Sequence, residues 1–179
     1  MCIRDSFKVF SYAEVIDSKL RYPLTALLYV EVDSSQFNGS APKVTCKIKG
    51  KLIKVPDNYG PRTRTYSGSW SGGFKMAWSN NPAWIFYDLV LDEIYGMGTR
   101  VDASMVDKWS LYSIAQYCDE MVSDGAGGTE PRFTCNVFIQ SQEDAWQVLN
   151  DLAAVFRGIT FWGNDQIYVL ADVPQDNVD

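Results

Sequence analysis

Apolar residues along this chain follow first one rhythm and then another. In residues 22–33, YPLTALLYVEVD sets Leu24, Ala26, Leu28, Val30 and Val32 on one face at a period of two. That predicts a strand, with Leu27 and Tyr29 making its other face partly apolar. The turn-rich SSQFNGSAP comes next, and alternation returns in KVTCKIKGKLIKV, where Val44, Cys46 and Ile48 interleave with Lys43, Thr45, Lys47 and Lys49. Gly50 interrupts this run and Ile53 and Val55 fall on the opposite parity, which predicts a bulge. After the loop PDNYGPRT, the runs RTYSGSW and FKMAW flank Ser71, Gly72 and Gly73 and read as a hairpin.

The spacing then lengthens. Asn81 is a good N-cap and Pro82 suits the first helical position, where its missing N–H costs nothing. The predicted helix runs to about Tyr95 and stops at Gly96 as the residue past its end. Residues 83–91 hold eight apolar side chains in nine positions, so this helix needs cover on more than one side. A second helix comes after GTRVD, with Ser104 and Asp107 as a capping pair and a stripe of Leu111, Ile114, Ala115, Cys118, Met121 and Val122, widened by Trp109 and Tyr112. SDGAGGTEP reads as an exposed loop. Phe133, Cys135, Val137 and Ile139 then alternate as a strand. Ser141 caps a third helix, with Asp144 three residues on. Its stripe is Ala145, Val148, Leu149, Leu152 and Phe156, and Gly158 ends it. ITFW and QIYVLAD close as a hairpin around Gly163, Asn164 and Asp165.

The expected class is α+β: an antiparallel β-rich part over 17–78, a helical part over 79–123 and a β-α-β-β unit over 132–172. Residues 1–16 remain unassigned, and within them MCIRDS reads as foreign to the rest of the chain, an assembly artefact or a truncated reading frame.

Composition narrows the chemistry. The 179 residues are 46% hydrophobic and 14% aromatic, enough for a core, and the net charge of −6 argues against a general polyanion-binding surface. Histidine is absent, which removes the commonest general base and transition-metal ligand. Cys2, Cys46, Cys118 and Cys135 are scattered without a C-x-x-C pair, so neither a zinc site nor a disulfide framework is expected. No stretch reaches the ~20 apolar residues of a membrane span, and the start lacks a signal-peptide core. The glycines of DGAGGTEP lack the preceding strand and the G-K-[ST] of a phosphate loop, and the alternating ligands of a calcium loop are missing. No cofactor is expected.

Three features could carry function. Lys43, Lys47, Lys49 and Lys51, with Lys54 beyond, form a local basic row, which either keeps an exposed sheet soluble or faces a channel and makes loose phosphate contacts with DNA. Asp88 and Asp92 share one helix face at i,i+4, with Glu93 beside them, and read either as a solvated strip or as the carboxylate pair of a cell-wall hydrolase. Trp84, Trp109 and Trp146 sit in helical apolar runs and are expected in the core, while Trp70 and Trp78, bracketing the hairpin, are candidates for an interface or a glycan or receptor platform.

Five runs taken together resemble a known family. YPLTALLYVEVDSSQFNGSAPKV, IKGKLIKVPDNYGPRTRTYSGSW, NNPAWIFYDLVLDEIYGMG, VDKWSLYSIAQYCDE and DGAGGTEPRFTCNVFIQSQEDAWQVLNDLAAVFRG are similar, in order and spacing, to the tail tip protein J (host-specificity protein) family of lambda-like siphophages. The similarity extends from about Asp17 to Ala171 and does not include MCIRDS. It implies a virion structural protein without catalysis, made in the bacterial host cytoplasm. Members of the family are long chains that assemble as trimers into the tail tip hub below the tail tube, a hub similar to those of contractile-tail baseplates. The resemblance therefore implies self-association, contacts with other tail tip and tail tube proteins, and passage of DNA through the lumen during ejection. It also implies that this chain is a hub-region fragment and that host-receptor contact lies outside it.

Overall fold

A computed structural model describes residues 28–31, 33, 43–139 and 144–173. The chain divides into two compact units, Met1–Lys47 and Ile48–Asp179. In the first, the described residues are exposed and hold no helix or strand. The rest of the strand expected over 22–33 lies outside the described residues. The alternation from Val44 to Ile48 also forms no ladder, and the first described strand, β1, begins only at Ile53 (Ile53–Pro56). An alternating pattern can specify two faces, but a strand also needs a hydrogen-bonded neighbour. Among the described residues no strand precedes Ile53, so Gly50, where a bulge is expected, lies outside any described ladder.

In the second unit β1 pairs antiparallel with β4 (Phe74–Ala77), and inside that pair β2 (Tyr59–Gly60) pairs with β3 (Thr65–Tyr66). The strands flanking Ser71, Gly72 and Gly73 therefore do not pair with each other. Each takes an earlier partner, because Trp70 turns inward and its indole N–H donates to Gly73 O at 2.7 Å while Asp57 N–H meets the same carbonyl at 3.1 Å. The segment predicted as the loop PDNYGPRT contains β2.

The first helix, α1 (Pro82–Val90), starts as the sequence predicts. The Asn81 side chain accepts from Ala83 N–H at 3.0 Å, and its amide donates to Ala115 O at 2.8 Å. The helix ends five residues before Tyr95. The Asp92 carboxylate takes the N–H groups of Ile94 and Tyr95 at 2.8 and 2.7 Å, a local bond that competes with helix continuation. Gly96 is needed for close approach rather than for a left-handed turn, since a Cβ there would stand 1.6 Å from Leu89 O.

The second helix, α2 (Lys108–Asp119), is capped by Asp107 alone, which accepts from Trp109 and Ser110 N–H; Ser104 lies in a preceding 3-10 turn, Ala103–Met105. Met121 and Val122 leave the helix to form β5 (Met121–Ser123), paired with β6 (Thr129–Pro131). The glycine loop is thus the turn of a hairpin, held by Asp124, whose carboxylate accepts from Ala126 and Gly128 N–H. Residues 133–139 form no strand: the Phe133 and Cys135 N–H groups bond to Cys118 O and Asn80 O, tying the chain to helix ends. The third helix, α3 (Ala145–Val155), is capped by Asp144, with Ser141 outside the described residues. Asn164 and Asp165, both at positive φ, make the two-residue turn between β7 (Gly158–Gly163) and β8 (Gln166–Ala171).

The class is α+β with antiparallel pairing, and β6, α3, β7 and β8 succeed one another in β-α-β-β order. At the centre lies α1, packed against α2, α3 and β1. Trp84, Phe86, Tyr87 and Val90 are all buried on it, so its apolar girth is covered from three directions by its own chain.

Candidate functional site

Asp88 is a carboxylate on the apolar helix α1, and burial without partners would be costly. It has two partners: the Lys51 ammonium at 3.0 Å and the Lys54 backbone N–H at 2.9 Å. Asp92, one turn on, also binds Lys51. These two acids are therefore not a solvated strip; they fasten the approach to β1 onto α1 through one shared cation. Partial burial pushes the Asp92 carboxyl upward, but the bonds from Lys51, Tyr95 and Ile94 outweigh it and hold the group below the ordinary carboxylate range. For Lys51, desolvation would lower the ammonium's pKa, and the two carboxylates more than reverse this.

Lys51 and Asp88 of this triad line an open groove of about 990 Å³. The rest of the lining is mainly apolar and includes Ile48, Ile53, Ile85 and Leu89 of α1, Phe138 and Leu152.

A second polar cluster centres on Asp119, buried at the end of α2. Arg64, at φ 56°, donates from Nε to Asp119 at 2.5 Å, from one terminal nitrogen to Asn80 Oδ1 at 2.6 Å and from the other to Phe133 O at 3.2 Å. Tyr66 donates to the second Asp119 oxygen at 2.9 Å and receives the Trp84 indole N–H at 3.3 Å. Burial, reinforced by the Asp119 charge, pushes the Tyr66 hydroxyl far above its ordinary value. The cluster holds the β2–β3 turn, the end of α2 and residue 133 together. Arg64 carried no signal in the sequence, because its role depends on a left-handed backbone that arginine seldom adopts.

The predicted site residues do not converge. Lys43 and Lys47 are exposed in the first unit. In the second, the Lys49 ammonium lies 5.1 Å from the centre of the Trp78 ring and Lys51 is held by its two acids. Trp70, expected at the surface, is 8% exposed and stacks on Tyr112 with ring centres 4.7 Å apart. Trp78 is half-buried. Trp84 is fully buried as expected, whereas Trp109 and Trp146 are 53% and 39% exposed. Trp109 packs its edge on Trp70, with the Lys108 ammonium 5.3 Å from its centre. The predicted stripes Leu111, Ile114, Ala115 and Cys118 of α2 and Leu149, Leu152 and Phe156 at α3 are buried, while the tryptophans that widen these runs stay partly exposed.

Among the described residues no group of three or more acids, cysteines or histidines is placed to hold a metal ion, and no helix is long and apolar enough to cross a membrane.

No known family model matches the chain. It is 50% identical over 174 residues to tip attachment protein J of Escherichia phage SECphi27, covering 97% of this chain and 15% of that protein. Against tip attachment protein J of Escherichia phage SECphi4 the identity is 51% over 170 residues, covering 95% of this chain and 15% of the relative. The chain thus spans about 15% of the length of the curated relatives it matches. With half the aligned positions the same along nearly its whole length, it belongs to the tip attachment protein J family as the counterpart of one segment of those longer proteins.

Proposed function

We propose that this chain is a structural segment of a phage tail tip, part of the host-attachment apparatus of the virion, and that it performs no catalysis. The observation that carries the reading is the 50% identity over 97% of the chain to a tip attachment protein. The side chains support it. Asp88 and Asp92, the sequence's best candidates for a hydrolytic pair, share a single lysine, and the low carboxyl pKa of Asp92 is the opposite of what a general acid near neutral pH needs.

In the finer form of this proposal the segment belongs to a trimeric hub below the tail tube, with other tail tip and tube proteins as neighbours. The outward face of the β7–β8 hairpin supports a self-associating role: Ile159, Phe161 and Leu170 are exposed together on a two-stranded sheet. The lysine row gives weaker support to a DNA-facing lumen, because Lys51 is neutralised by two acids. Antibodies raised against this chain should mark the tail tip in electron micrographs of the phage that encodes it. Labelling of the capsid or of no particle would contradict the proposal.

A further inference from the structure

Several cations of the second unit have a polar partner. Lys51 has two carboxylates, Arg64 has Asp119, Arg132 has Glu120, and Lys108 donates to Gly72 O beneath three aromatic rings. Lys49 and Arg62 differ. Among the described residues neither has an acidic partner, and both line the same small pocket of about 410 Å³, with Trp78, Ala77 and Pro61 as the other walls. In a chain of net charge −6, what sets these two cations apart is that they share one pocket with an aromatic wall.

We propose that this pocket binds an acidic pyranose, a six-membered sugar ring carrying a carboxylate or a phosphate ester. Three properties of the pocket select that class. Its volume lies within the range of small-ligand sites and suits a single sugar unit rather than a long polymer groove. Arg62 presents a planar fork of donors that matches an anionic group, and Lys49 adds a mobile point charge. The half-buried Trp78 offers a flat apolar surface against which the C–H face of a pyranose can lie beside the Lys49 ammonium, 5.1 Å from the ring centre. Trp70, the other aromatic of the same hairpin region, is buried beneath Tyr112 and unavailable. Binding here goes beyond the structural role proposed above and stands or falls separately from it.

The test is a titration of the indole N–H signals in a two-dimensional NMR spectrum of the chain, with the Trp78 signal assigned by its loss in Trp78→Phe. Glucuronate, glucose 6-phosphate, glucose and a short oligothymidylate serve as probes. The proposal expects the Trp78 signal to shift with one or both acidic sugars, which also tells carboxylate from phosphate, and saturation at roughly millimolar concentration. In Arg62→Ala, a surface change that leaves the remaining spectrum in place, the apparent affinity should fall about tenfold or more. Four results would overturn it: no Trp78 shift with either acidic sugar, an equal response to glucose, an unchanged affinity in Arg62→Ala, or a response to oligothymidylate at lower concentration than to either sugar.

Discussion

Lys51 and Asp88 are 37 residues apart in sequence and 3.0 Å apart in the fold, and their contact joins the approach to β1 to the central helix. The Asp88 carboxylate also receives the Lys54 N–H, so one buried acid fixes both a side chain and the backbone of the incoming strand. Replacing it tests how far this fastening stabilises the fold. Asp88→Ala leaves the Lys54 N–H without its acceptor and should lower unfolding stability by about 2 kcal/mol in urea denaturation. Asp88→Asn keeps an acceptor for that N–H and should lose less.

The Asp92 carboxyl sets a pH dependence. Its folded pKa lies below the ordinary 3.8, so the stability it contributes is present above that value and is lost as pH falls through the lower folded pKa. Lys51 acts at the other end: its folded pKa lies above 10.5, so its contribution holds below 10.5 and is lost as pH rises through the folded value. Asp92→Asn should flatten the acid limb of a stability-against-pH curve while leaving the curve's shape near neutrality unchanged. An acid limb identical to that of the parent chain would remove Asp92 from the account.

Gly96 makes a sharper prediction. With a Cβ placed 1.6 Å from Leu89 O and 3.0 Å from Asp92 O, Gly96→Ala forces the turn after α1 to move. A drop of at least ~2 kcal/mol is expected, in the range of overpacked sites. A glycine acting only as a left-handed stop past the end of a helix would be penalised by φ strain instead, but the Gly96 φ is not positive.

How much of this could be read from the chain depends on what each feature rests on. Asn81 and Pro82 announced α1 because capping is local chemistry, and Asn164 with Asp165 announced the final turn for the same reason. The other end of α1 escaped because a carboxylate four residues before Gly96 captured the N–H groups of Ile94 and Tyr95. Strand pairing escaped more widely. Alternation marks the runs around Cys46 and Cys135, yet neither forms a strand among the described residues, while the two-residue strands at Tyr59 and Thr65 pair. At the site, the i,i+4 spacing shows Asp88 and Asp92 as neighbours, but it groups their partner Lys51 with a basic stripe, since sequence spacing carries no sign of a contact across 37 positions.

The buried thiol of Cys118 gives an independent check on the core. Burial, helped by the adjacent Asp119 charge, pushes its pKa up to about 12, so almost no thiolate exists near pH 8. Cys46 is exposed. Iodoacetamide labelling of the native chain, read by peptide mass spectrometry, should modify Cys46 readily and Cys118 only after denaturation. Comparable native labelling of both would mean that the α2 packing against α1 is not as described.

If this chain is an assembling structural segment of a tail tip, the assembly should show in the mass in solution of the segment carried in the longer sequence context of its relatives, measured by sedimentation equilibrium. A trimer, without hydrolysis of cell-wall polymer by the same preparation, is the predicted result. A strictly monomeric species across the accessible concentration range would contradict it.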